Sequence, residues 1–243
     1  MTNFIVPNWP APKTIKAFTT LRTGGVSLAP YDSFNLGEHV GDETQHVKTN
    51  RENLKTQLNL QNQPVWLNQT HSTRVIPATT ENTGKEADAA FTDQPGNVCA
   101  VLTADCLPLL VCQREGTHVA AIHAGWRGLA NGVIENTLTA MGIPADDTLV
   151  WLGPAIGPKV FEVGDEVREI FLKSHPEAEQ MFLPSPNGRW LGNLYALARL
   201  RLNSQGITHI YGGDYCTYSD SELFFSYRRD GNKTGRMASL IWM

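Results

Sequence analysis

Three short apolar runs near the middle of the chain limit its possible folds more than any other feature: 98–103 (VCAVLT), 107–112 (LPLLVC) and 118–124 (HVAAIHA). Each is strand-sized, rich in leucine or β-branched residues, and bounded by turn residues, as expected of strands buried on both faces. Buried strands need covering layers, so the flanking sequence must supply helices or a second sheet.

The flanks do read that way. Residues 14–20 (TIKAFTT) predict a strand ended by a turn at 22–25. Asp42 or Thr44 can cap a polar helix running to about Leu60, with Val47, Leu54 and Leu58 inward. Extended pieces follow at 64–67 and 73–77. Three amphipathic helices are predicted next. The first starts at about Gly128 and carries Ala130, Val133, Ile134, Leu138 and Met141, with Gly142 as its stop. The second carries Val163, Val167, Ile170 and Phe171; the third carries Leu191, Tyr195, Ala198 and Leu202 and ends at Gly206. Strands are expected at 207–211, 222–227 and 236–242, and LGPAIGP (152–158) reads as a pocket-shaping turn. Helices and strands do not alternate strictly, which argues for a mixed α+β fold rather than a doubly wound parallel sheet.

No repeat, low-complexity tract or linker divides the chain, so 1–243 reads as one domain. Hydrophobic residues make up 41% and charged residues 18%, a globular balance that excludes disorder. A formal charge of -4, with no basic run, argues against nucleic-acid capture. No window approaches the ~20 apolar residues of a membrane span. The N-terminal segment MTNFIVPNWPAPK lacks the pattern of a signal peptide. Four cysteines are too few for a disulfide scaffold, so reduced thiols in the cytoplasm are expected.

Chemistry is carried where polar residues interrupt the apolar runs. Asp105 and Cys106 sit between two buried strands, His123 ends a third, and His71 lies in a polar loop. Two imidazoles and a thiolate suit zinc, and three protein ligands leave one tetrahedral position open, as in a catalytic site. Spacings of 35 and 17 residues match no local zinc signature, so an inert core cysteine and a solvated histidine stay open as alternatives. The turn His123-Ala-Gly-Trp-Arg-Gly128 places a helix start and Arg127 near His123, an arrangement that attracts anions. The segment 224–230 (FFSYRRD) mixes aromatics with polar groups that could stack on a base. The cytidine-deaminase signature, a P-loop, G-x-S-x-G and H-E-x-x-H are all absent.

Taken together, RTGGVS (22–27), SFNLGEHVGD (33–42), WLNQTHS (66–72), ADAAFT (87–92), TADCLPLL (103–110), HAGWRG (123–128), WLGPAIGP (151–158), FFSYRRD (224–230) and TGRMAS (234–239) give a close resemblance to the bacterial YfiH-type proteins. That family is variously described as purine nucleoside phosphorylases, peptidoglycan editing factors and multicopper polyphenol oxidases or laccases. The resemblance implies zinc held by His71, Cys106 and His123, and a layered mixed-sheet α+β fold like the catalytic domain of cytotoxic necrotizing factor toxins. It also implies phosphorolysis of adenosine, inosine, guanosine and methylthioadenosine, with adenosine deamination as a further reaction. Thr70 and Ser72 depart from the Val or Gly common beside this histidine in relatives, and neither departure removes a ligand.

The favoured reading is therefore a cytoplasmic, monomeric zinc enzyme acting on a purine nucleoside and phosphate. Arg22, Arg51 and Arg127 are candidates for phosphate or ribose contacts, Phe225 and Tyr227 for base stacking, and Asp105 for proton transfer. An alternative is an amide hydrolase acting on a muramoyl-peptide precursor, with Cys106 as nucleophile and His123 as base, or with zinc water. A copper polyphenol oxidase is a weaker alternative, because a laccase needs about ten histidines, many in H-x-H pairs. This chain has seven and no such pair. A small-molecule-binding protein with a structural zinc is the non-enzymatic option, disfavoured because structural sites are normally closed by a fourth ligand.

Overall fold

The structure, a computed structural model, describes residues 4–243; the first three residues of the N-terminal segment discussed above lie outside it. The predicted central runs form β5 (Cys99–Thr103), β6 (Leu107–Gln113) and β7 (Val119–Ala124). Before them come β1 (Phe4–Ile5), β2 (Lys16–Thr20), β3 (Val75–Pro77) and β4 (Ala89–Thr92). After them come β8 (Thr148–Leu152), β9 (Glu162–Val163), β10 (Phe182–Pro184), β11 (Trp190–Gly192), β12 (Ile210–Gly212) and β13 (Met237–Trp242). The helices are α1 (Thr44–Gln57), α2 (Trp126–Asn131), α3 (Val133–Met141), α4 (Asp165–Ser174), α5 (Leu194–Ser204) and the single turn α6 (Tyr227–Asp230).

Two sheets organise these elements. The larger, ordered β12-β8-β6-β7-β4-β3, is mixed: its two outer pairs are parallel and its inner pairs antiparallel. The smaller, β1-β2-β13-β5, is antiparallel throughout, and β10-β11-β9 forms a minor third sheet. Period-two alternation sorts the side chains into layers. Leu107, Leu109 and Val111 of β6 pack with α3 and α5 residues such as Ile134 and Leu197, while Leu110 and Cys112 face the second sheet through Val101 and Ile241. The far side of that second sheet, through Ala100, Leu102 and Leu240, is covered by Leu54 of α1 with Phe34 and Trp66. The order is helix, sheet, sheet, helix, the layered mixed α+β fold expected. Full burial of β6 leucines is worth about 1.5–3 kcal/mol each.

Several local expectations are corrected. The helix predicted from Gly128 begins at Trp126 and breaks at Gly132, whose φ of 100° no helix accommodates; α2 and α3 are separate elements. Val163 and Leu191 lie in strands β9 and β11 rather than in helices, and Ile170 is 41% exposed on the outer face of α4. Glu43 occupies the N-cap of α1 without a side-chain bond, in place of Asp42 or Thr44. The strand predicted over 222–227 is absent. Phe224 and Phe225 are buried in an irregular turn, and Ser226 caps α6 by accepting from the Arg229 N–H.

Candidate metal centre

Two features of the sequence bring Cys106 to the seam between the sheets. The chain leaves β5 in the small sheet and enters β6 in the large one within three residues, and Asp105 makes this crossing at a φ of 87°. A non-glycine residue in the left-handed region needs external support. Asp105 has it: Oδ1 accepts from Thr217 Oγ1 at 2.6 Å and Oδ2 accepts from the Arg228 N–H at 2.6 Å. Its main-chain carbonyl accepts from Ile156 N, so the 152–158 turn closes over the crossing. Tyr195 pins that turn, its hydroxyl accepting from Ala155 N at 2.8 Å.

His123 ends β7 on the face shared with Val119 and Ala121, which points toward the second sheet. His71 sits in the loop before β3 at a φ of 61°. One residue organises both: Asp88, immediately before β4 and fully buried. Its carboxylate accepts from the backbone N–H groups of Thr70, His71 and Ser72 at 3.2, 3.0 and 2.6 Å, and from Ser72 Oγ at 2.7 Å. It also accepts from His123 Nδ1 at 2.7 Å, which leaves Nε2 free as a ligand atom. Burial alone would raise the Asp88 carboxyl, but the hydrogen bonds from His123 and Ser72 hold it below the ordinary carboxylate value.

The three side chains converge. Their ligand atoms all lie within 4.8 Å of one another, Cys106 Sγ is 3.8 Å from His71 Nε2, and the two imidazoles meet edge-on at 4.9 Å between centroids. Gly125 allows this approach. A Cβ there would stand 2.7 Å from His71 Cδ2 and 3.1 Å from Cys106 Sγ. Burial pushes the Cys106 thiol up, yet the His123 and His71 imidazoles outweigh it and pull the thiol well below its usual range. In return, the thiolate and Asp88 overcome the burial of His123 and raise its value. The group favours a thiolate and offers two nitrogen donors, a set that can hold a metal ion.

The cluster lines a cavity of about 440 Å³ that has an apolar wall of Trp126, Ile156, Phe161 and Leu194. Asp105, Arg127 and Tyr227 also line it, as their sequence positions suggested. Arg22, Arg51 and Phe225 lie elsewhere, and the structure gives each a scaffold role. Arg22 donates to Asp32 O and Ser221 O and stacks on Phe225 at 4.9 Å. Arg51 donates twice to Leu36 O, pairs with Glu38 at 2.9 Å and lies over Trp66. Phe225 is fully buried with Phe224, Met237 and Ala104. Sequence reasoning passed over Asp88, His39 and Arg236. An aspartate inside the alanine run ADAAFT was the available signal for Asp88; an arginine directly before an apolar strand was the signal for Arg236.

Residues 16–243 match the family described as multi-copper polyphenol oxidoreductase laccase. The chain is 52% identical to the purine nucleoside phosphorylase YfiH of Escherichia coli K12, with all of both chains covered. It is 54% identical to the purine nucleoside phosphorylase of Haemophilus influenzae, over 98% of each chain. Among solved structures, a Neisseria meningitidis protein superposes with a TM-score of 0.95 at 50% identity, covering 100% of this chain and 99% of its own. YlmD from Geobacillus stearothermophilus superposes with a TM-score of 0.93 at 31% identity, covering 99% and 96%.

Proposed function

The chain belongs to the multi-copper polyphenol oxidoreductase laccase family, the YfiH-type proteins, and from that premise we propose that it is a zinc-dependent purine nucleoside phosphorylase of the cytoplasm. One observation carries this reading: a His–Cys–His donor set forms part of the wall of a cavity large enough for a nucleoside, beside apolar side chains and several arginines.

In phosphorolysis a phosphate oxygen bonds to the anomeric carbon as the carbon–nitrogen bond to the base breaks, and the purine leaves with the bonding pair and takes up a proton. Such a reaction needs two reactants aligned and charge stabilised at both ends. Trp126 and Phe161 offer surfaces on which the base can stack, and Arg127 and Tyr227 supply polar contacts at the same cavity. Zinc on His71, Cys106 and His123 would supply a Lewis acid there, which also suits adenosine deamination. Asp88 fixes the His123 tautomer and the His71 loop. Both Asp105 oxygens are engaged, so we assign it the positioning of the Cys106 crossing rather than proton transfer. Copper suits the same donors, but this is one three-donor group among the described residues, short of a multinuclear centre.

Metal-loaded protein incubated with inosine, with and without phosphate, tests the assignment. Phosphate-dependent release of hypoxanthine, lost in Cys106→Ala, is the expected result. No turnover of any purine nucleoside would sink it.

A second reading has its own observation. Cys106, His123 and Asp88 stand in the order nucleophile, base and orienting carboxylate, which fits an amide hydrolase that removes L-serine from a muramoyl-peptide precursor. Metal decides between them: a cysteine nucleophile is silenced by bound zinc, whereas the phosphorylase is activated by it.

A further inference from the structure

Another part of the cavity wall carries a cation that the preceding assignments leave without a task. Arg236 stands directly before β13, its N–H bonded to Asn35 Oδ1 and its carbonyl to Leu36 N. Nη1 donates to the Thr234 and Gly235 carbonyls at 2.8 and 3.0 Å, and the Tyr227 ring lies 6.0 Å from Cζ. The side chain is pressed along Gly37, where a Cβ would come within 2.8 Å of Arg236 Cγ. The guanidinium is thus held in place, yet among the described residues Nε and Nη2 have no hydrogen-bond partner and no carboxylate forms an ion pair with it. Burial pushes its pKa down, offset in part by the negative charge of Cys106 and Asp105, which line the same cavity.

Two further polar groups share this wall. His39 lines the cavity, and burial together with the nearby Arg236 charge lowers its pKa. Thr103, opposite Met237 across the β5–β13 ladder, carries a buried Oγ1 with no hydrogen-bond partner. The other arginines differ. Arg22 and Arg51 already have Asp32 and Glu38. Arg127 and Arg228 are exposed, and Arg228 is bonded to the Glu162 carbonyl. A fixed, half-buried guanidinium on the cavity wall, with Nε and Nη2 unbonded and no ion-pair partner, matches a tetrahedral oxyanion.

We propose that Arg236, with His39 and Thr103 beside it, forms a subsite for a tetrahedral oxyanion, occupied by inorganic phosphate during turnover. The identity of the anion rests on the phosphorylase reading; the existence of the subsite does not.

Calorimetric titration of inorganic phosphate into metal-loaded protein tests it. Arg236→Gln is expected to weaken phosphate at least about tenfold, Arg236→Lys by about three- to tenfold, and Arg127→Gln by less than about threefold. In steady-state assays the KM for phosphate rises in Arg236→Gln while the KM for nucleoside changes less than about threefold. Arg236→Lys keeps the charge and a donor for the 234–235 carbonyls, so it decides the matter if the Gln variant fails to fold. Wild-type affinity in both Arg236 variants, a larger loss in Arg127→Gln, or no phosphate binding by the wild type would each overturn the subsite. Arg236-dependent phosphate binding without nucleoside turnover would retire the phosphorylase reading and uphold the subsite. Turnover with an unchanged phosphate KM in Arg236→Gln would do the reverse.

Discussion

Gly125→Ala probes the candidate metal centre at its tightest contact. Gly125 has φ -59° and ψ 153°, a conformation open to alanine, so the substitution brings no backbone strain. Its cost is steric. The new methyl would lie 2.7 Å from His71 Cδ2 and 3.1 Å from Cys106 Sγ, so His71 must retreat by about 0.7 Å to reach ordinary contact. Metal–ligand distances tolerate only about 0.2 Å. The two donors cannot both stay in place, and metal affinity should fall at least about tenfold, or 1.4 kcal/mol. Overpacking should destabilise the metal-free protein by about 1–3 kcal/mol. Competition titration of zinc against a chromophoric chelator reads the first quantity, and urea unfolding of chelator-treated protein reads the second. Wild-type zinc affinity in Gly125→Ala would refute the idea that His71 and Cys106 bind one ion across this glycine.

Asp88→Asn should lower metal affinity by about 10- to 100-fold, because an amide cannot accept from both the His71 loop and His123 while presenting its own N–H groups; unchanged affinity by the same titration would count against it. Asp88 also sets an acid limit: its folded pKa is depressed, so its contribution is complete above the unfolded value of about 4 and is lost as pH falls through the folded one. Urea midpoints should therefore decline steeply below about pH 4 in the wild type and less so in Asp88→Asn. Iodoacetamide at pH 7 should label Cys106 in chelator-stripped protein and spare Cys99 and Cys112, whose thiols burial pushes up, Cys112 to about 12; bound zinc should protect Cys106, and metal-independent labelling read by mass spectrometry would contradict the assignment. Asp105→Ala should cost about 2–4 kcal/mol of unfolding free energy, since it loses two acceptors at a φ of 87°, while Asp105→Asn, better suited to that conformation, should cost about half as much; equal losses would refute the positioning role.

The buried strands β5, β6 and β7 were legible in the sequence because full burial writes continuous apolar runs. The three residues of the candidate metal centre stood out for a related reason: each interrupts or adjoins such a run. Local breaks were less visible. Gly132 divides α2 from α3 inside a pattern that keeps its 3.6-residue period, so periodicity alone reads one helix. A strand was expected at 222–227, but Phe224 and Phe225 are both buried and no strand among the described residues pairs with them. The partners of Arg22 and Arg51, backbone carbonyls and for Arg51 also Glu38, are likewise invisible in a sequence, because they come from segments far from each arginine along the chain. Asp88 escaped notice because three of its five bonds come from main-chain N–H groups, which every residue but proline carries.

That last property bears on how this chain can drift. The loop from Thr70 to Ser72 is tied to Asp88 mainly through its backbone, so the identity of the flanking side chains is weakly constrained while the presence of an N–H at each position is strict. Threonine, valine or glycine at 70 would present the same N–H to the carboxylate, and at 72 valine or glycine would keep the N–H while giving up the Ser72 Oγ bond. Proline at 70 or 72 would delete a donor and leave part of a buried carboxylate unanswered. The side-chain requirement around His71 is therefore looser than the contact made there, and the stricter demand falls on the acceptor, the carboxylate at position 88.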